Sequence, residues 1–121
     1  MLEQCCASLR QQSDPDWEQT ILVDPAGLGI SESYRRLSSF EPHGDWVWIL
    51  DDDDECVYPG LVAAIKRIST DPHVDIIMVR MDHGEELGVL PDSEVWERIP
   101  ALGHLGVSSF IVRQDVWMKH R

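Results

Sequence analysis

The chain has no CxxC pair among its three cysteines, no uninterrupted apolar stretch of membrane-spanning length and few basic residues. Each absence removes a class of protein. An odd set, Cys5, Cys6 and Cys56, without paired spacing fits neither a disulfide framework nor a thiolate zinc site. Reduced, partly buried thiols are expected instead. Crossing a bilayer takes roughly 20 consecutive apolar residues, and no such segment is present. Met1-Leu2-Glu3-Gln4 has no basic region followed by an apolar one, so no signal peptide is visible and a soluble, cytoplasmic protein is expected. Ten Lys and Arg stand against 22 Asp and Glu, a net charge of −12. That average field repels a phosphate backbone and argues against a nucleic-acid partner.

Several catalytic signatures are missing too. There is no GxxxxGK[ST] phosphate loop, no GxSxG elbow and no HExxH pair, and Gly27-Leu28-Gly29 is too short for a dinucleotide fingerprint. What remains is a chain of 121 residues, 43% hydrophobic and 26% charged, enough for one domain with a modest core. No repeat, low-complexity tract or dividing linker interrupts residues 1–121.

Periodicity organises the chain. Leu2, Cys5, Cys6 and Leu9 lie at helical spacing, predicting an amphipathic helix over 2–12 that ends at Ser13-Asp14-Pro15-Asp16. Gln19 to Asp24 is rich in β-branched residues and reads as a strand with an acid at its end. Ile30, Tyr34 and Leu37 predict a second helix before Pro42. Trp46 to Leu50 is apolar throughout, as a strand covered on both faces would be. Pro59 is placed to open a third helix carrying Leu61, Ile65 and Ile68 inward, stopped by Asp71-Pro72. Val74 to Met81 and Val107 to Arg113 read as strands, residues 82–104 as irregular, and Val116 to His120 as a helix start. Alternating strands and helices predict an α/β domain with a largely parallel sheet. In such sheets ligands gather beyond the carboxyl ends of strands, where Asp24 and Asp51 would both lie.

Asp51 to Glu55 is a run of five acids. Charge runs are commonly solvated faces, but this one abuts an apolar strand and precedes a helix start. Hard oxygen ligands in that position suit Mg²⁺ or Mn²⁺, held by one or two carboxylates and by substrate phosphates. A calcium loop of the EF-hand type fails, because Cys56 stands where its glycine belongs and Val62 where its last glutamate belongs.

Three segments carry a resemblance. Ser8-Leu9-Arg10-Gln11-Gln12-Ser13-Asp14-Pro15-Asp16-Trp17-Glu18 followed by Ile21-Leu22-Val23-Asp24 resembles the "SLxxQTxxxWExIVVDD" segment of family 2 glycosyltransferases. Gly44 to Asp54, followed by Pro59 and Leu61, is similar to that family's "GDYIxFLDxDDxxxPxxL". Gly106 to Trp117 (GVSSFIVRQDVW) is similar to its "GxSSxxVRRxxW". The resemblance implies a glycosyltransferase-A-like (Rossmann-like) domain with a mixed, mostly parallel sheet and flanking helices. It also implies sugar transfer from a nucleotide-diphospho-sugar donor to an acceptor, with Mn²⁺ or Mg²⁺. By the same resemblance Asp24 contacts the nucleotide base, and an Asp-x-Asp pair holds metal and diphosphate. Anchoring on the strand end selects Asp51 and Asp53; anchoring on Pro59 selects Asp52 and Asp54. The first register is preferred, giving Asp51, Asp53 and Asp54 as metal candidates, with Asp51 and Asp52 also on the donor.

The departures from the family are specific. Pro25 stands where a second Asp follows Asp24, the first strand would precede Leu2, and the catalytic acid would lie beyond Arg121. A partial domain is therefore expected, with a non-catalytic metal- or nucleotide-binding or interaction domain as the alternative. The absent first strand would leave two open strands, those ending at Asp24 and Leu50, and this predicts a homo-oligomer.

Other residues divide between a site and a plainer role. Arg35 and Arg36 suit donor phosphates or a helix surface. His83 and His104 suit a ligand contact or simple exposure. Glu85 and Glu86 suit acid–base work or solvation. Trp46 and Trp48 suit the core, and Trp96 either the core or a sugar ring.

Overall fold

The computed structural model of the chain describes residues 1–91 and 106–121. Its elements in order are α1 (Leu2–Leu9), α2 (Ile30–Ser38), β1 (Trp46–Trp48), α3 (Leu61–Ile68), β2 (Ile76–Met78) and β3 (Met81–Asp82). There follow α4 (Gly84–Leu87), β4 (Val89–Leu90), β5 (Phe110–Arg113) and α5 (Gln114–His120), with one 3₁₀ turn, Val107–Ser109, leading into β5. Trp96 and His104, candidates in the segment read as irregular, lie outside the described residues.

The sheet corrects the expected architecture. It is three-stranded in the order β1-β5-β2, and β5 is antiparallel to both neighbours. β3 and β4 form a separate antiparallel ribbon. A mostly parallel, Rossmann-like sheet is therefore not formed among the described residues. The physical reason lies in adjacency. β1, α3 and β2 do alternate, and β1 and β2 run in the same direction, but they never pair. β5, arriving late in the chain, occupies the place between them. Val112 faces Val47 on one side and Ile76 on the other, and Ile111 faces Trp48 and Ile77. Alternation of elements constrains direction; it does not choose hydrogen-bond neighbours.

The strand expected over residues 19–24 is also absent. No regular structure is assigned there, and Ile21, Leu22 and Val23 are exposed. β-branched composition describes fitness for a half-buried pleated surface, and without a partner strand it forms no ladder. The two sheet edges left open among the described residues belong to β1 and β2.

The core has two parts. Ile111, at the centre of the sheet, is 1% exposed, and α5 packs on β5 and β1. Arg113 lies 4.7 Å from the centroid of the Trp46 ring, a cation–π contact, and also donates to the backbone carbonyls of Asp71 and Val74. The second part is built around the thiols. Cys5, Cys6 and Cys56 are free and buried, as expected, and burial pushes the Cys5 and Cys56 thiols above their ordinary range. Gln12 sews α1 to the start of α3: its side-chain amide donates to the Tyr58 carbonyl at 2.8 Å and accepts the Val62 N–H at 3.1 Å. Lys66 adds ion pairs to Asp14 and Asp16 at 2.9 and 2.8 Å. No helix among the described residues is long and apolar enough to cross a membrane.

Candidate metal centre

The acidic run begins three residues after β1 and is held at both ends. At its start, the Asp51 N–H donates to Ser108 Oγ at 3.2 Å, while the Trp48 indole N–H donates to the Ser108 carbonyl at 2.8 Å. At its end, the Cys56 N–H donates to Ser8 Oγ at 2.9 Å, and that hydroxyl donates to the Cys5 carbonyl at 2.7 Å. Between the anchors the Asp54 N–H donates to the Asp51 carbonyl at 3.1 Å, closing a turn. Five like charges would otherwise extend to separate; the anchors and the turn keep them folded back.

The turn gathers three of them. One carboxylate oxygen from each of Asp51, Asp53 and Asp54 lies within 4.8 Å of the others. Asp52 stays outside that group. Of the two registers, Asp51 with Asp53 falls wholly within the group, whereas Asp52 with Asp54 contributes one member. Burial, followed by the charges of Asp54, Asp53 and Asp52, pushes the Asp51 carboxyl above its ordinary range. An all-carboxylate donor set under mutual repulsion fits a hard divalent cation such as Mg²⁺ or Mn²⁺, which would both coordinate and neutralise it.

Topology supplies the rest of the site. β5 runs antiparallel to β1, so the residues entering β5 lie beside the residues leaving β1. β2 runs with β1, so the chain leaving β2 toward β3 reaches the same rim. Asp51, Asp53 and Asp54 accordingly share an open cavity of about 230 Å³ with Met81, His83, Gly106, Val107 and Ser108. Ser108, only 3% exposed, is the residue that sequence reasoning missed. Its one signal was membership of the Gly106 to Trp117 segment, which names no role for it.

The remaining candidates are elsewhere. Asp24 Oδ2 accepts the Gly29 N–H at 2.7 Å and closes the 24–29 loop; the backbone N–H groups of Leu28 and Gly29 hold its carboxyl below the ordinary range. Arg35 makes two 2.7 Å hydrogen bonds to Glu32, and Arg36 pairs with Glu32 at 3.1 Å while donating to the Val23 carbonyl. Neither Asp24 nor Arg35 lines the cavity. Comparison of the chain with protein-family models, with curated proteins and with solved structures finds no match.

Proposed function

We propose that this chain binds a divalent cation, Mn²⁺ or Mg²⁺, together with the diphosphate of a nucleotide-sugar donor, and that it serves metal-assisted glycosyl transfer. The observation that carries the reading is the meeting of two separate segments at one cavity. The Asp51–Asp54 turn supplies the carboxylates, and Gly106 to Ser108, about fifty residues later, line the same cavity. Both segments are those that resemble family 2 glycosyltransferases. The proposal rests on this site and takes no support from the antiparallel sheet.

The chemistry follows from charge. A cation bound here would stabilise the negative charge that collects on a leaving diphosphate. The chain's own part is to hold three carboxylates close enough to bind one ion, which the turn and its two anchors do. A cavity of about 230 Å³ is smaller than the ~300–1,000 Å³ typical of whole small-molecule pockets. It therefore suits the ion-and-diphosphate end of a donor.

The test uses thermal unfolding with Mn²⁺, a nucleoside diphosphate, or both. Ligands that bind only the folded state raise its melting temperature by mass action, and the expected result is a larger rise with both than with either alone. No rise under any of the three conditions overturns the reading. Donor hydrolysis or sugar transfer then separates an enzyme from a protein that only binds.

A further inference from the structure

We infer that His83, which lines the same cavity as the three carboxylates, contacts the diphosphate of the bound donor and is not a ligand of the cation. This rests on the reading of the cavity as a cation–diphosphate site.

Distance comes first. His83 lines the cavity, yet its ring nitrogens do not join the set of ligand atoms that lie within 4.8 Å of one another on Asp51, Asp53 and Asp54. A single ion held by the carboxylate set is therefore bound without the imidazole. Chemistry comes second. Three carboxylates repel an anion, so a diphosphate enters only on the cation's far side and needs donors there. Among the described residues lining the cavity, His83 is the one with a nitrogen-bearing side chain. Ser108, the other polar non-acidic residue lining the cavity, accepts the Asp51 N–H and has only a neutral hydroxyl left to donate, whereas the imidazole can also carry a positive charge. An imidazole N–H donating to a phosphate oxygen is a charge-assisted hydrogen bond, among the stronger kinds.

Placement comes third. His83 sits in the connection of the β3–β4 ribbon, and its own N–H donates to the Gly88 carbonyl at 2.8 Å. The Gly84 N–H donates to Asp82 Oδ1 at 2.9 Å, and the Gly88 N–H to the Gly84 carbonyl at 2.8 Å. The connection is closed by glycines at both ends, with φ of +80° at Gly84 and +65° at Gly88, a region side chains rarely adopt. His83 is thus presented from a tied turn, as a positioning contact requires.

The experiment titrates Mn²⁺ alone, and then preformed Mn²⁺–pyrophosphate, into wild type, His83→Ala, His83→Gln and the double variant Asp51→Asn/Asp53→Asn by calorimetry. His83 is exposed in a loop, and circular dichroism checks that each variant stays folded. The expected result for His83→Ala is unchanged Mn²⁺ affinity with about tenfold weaker Mn²⁺–pyrophosphate, part of which His83→Gln restores through its amide N–H. Equal pyrophosphate affinity in wild type and His83→Ala overturns the inference alone. So does weaker binding of Mn²⁺ itself in His83→Ala, which would make the imidazole a metal ligand. Failure of wild type to bind Mn²⁺, or undiminished binding by the double variant, instead overturns the cation–diphosphate reading, and the inference with it.

Discussion

Ser108 Oγ accepts the backbone N–H of Asp51 at 3.2 Å, across 57 positions of the chain. This bond joins the end of β1 to the entry of β5 at the level of the cavity. It means that the first carboxylate of the trio is placed by a residue with no charge and no direct part in binding a cation. The same serine's carbonyl takes the Trp48 indole N–H, so one residue fixes both the strand end and the turn that follows.

Removing that hydroxyl should therefore cost both stability and binding. In Ser108→Ala the Asp51 N–H loses its acceptor at a part-buried site, worth about 1 kcal/mol. Urea unfolding should show a lower midpoint with an unchanged slope. Mn²⁺ affinity should fall as well, because the turn is no longer held at its start. A midpoint equal to wild type would show that the bond holds nothing in solution.

Asp51 itself carries the opposite sign. Its carboxyl titrates above its ordinary value in the folded chain, through burial and three like charges. The folded state therefore keeps its proton more tightly than the unfolded state, and stability falls as pH rises through that window. At neutral pH the ionised carboxylate works against folding. Asp51→Asn should raise the melting temperature of the metal-free protein at pH 7 while abolishing the rise given by Mn²⁺. The gain should shrink as pH drops below the ordinary aspartate range, where both states are protonated. A variant less stable than wild type at pH 7 and equally responsive to Mn²⁺ would contradict both halves.

The other anchor gives an independent check on the turn. Ser8, 7% exposed, bridges the Cys5 carbonyl and the Cys56 N–H. Ser8→Ala leaves a buried N–H without its acceptor, which costs about 1–3 kcal/mol. The loss should appear in chemical unfolding, and Cys56 should become faster to react with a thiol reagent as the end of the acidic run loosens. Ser8→Thr keeps the hydroxyl and should recover part of the stability. If Cys56 stays as unreactive in Ser8→Ala as in wild type, the anchor is not what covers it.

Local pattern was legible where it depends on near neighbours. Leu2 to Leu9, Ile30 to Ser38 and Leu61 to Ile68 form helices where apolar spacing placed them, and the three thiols are buried and free. The acidic run lies just past an apolar strand, also as read. Pairing between distant segments was not legible. Nothing in Val107 to Arg113 announces that β5 inserts between β1 and β2, because a strand's own residues do not record which edge it joins. Nor does the composition of Gln19 to Asp24 record that no strand pairs with it. The same limit hid Ser108, whose part in the site exists only once β5 lies beside β1. Ile68 shows the reverse error: its helical spacing placed it inward, yet it is 38% exposed.

A last expectation concerns acid, at side chains that do not line the cavity. Glu32 accepts two 2.7 Å hydrogen bonds from Arg35 and one of 3.1 Å from Arg36. These bonds, with the charges of the same arginines, lower its carboxyl from 4.5 to about 2. Because the folded value lies below the unfolded one, the contribution is complete above about 4.5 and is lost as pH falls toward about 2. The side chains reach solvent, so salt screens the charges and the effect on global stability is small. The direct readout is the carboxyl resonance of Glu32, which should titrate well below those of exposed glutamates at low ionic strength and move back toward them in concentrated salt. Arg36 also donates to the Val23 carbonyl at 2.9 Å, so protonating Glu32 frees a side chain that ties α2 to the 19–24 segment. Amides of residues 21–24 should therefore shift with the same midpoint. Glu32→Gln should abolish that transition while leaving the rest of the spectrum unchanged. A Glu32 titration at the ordinary glutamate value would show that the arginine pairing does not persist in water.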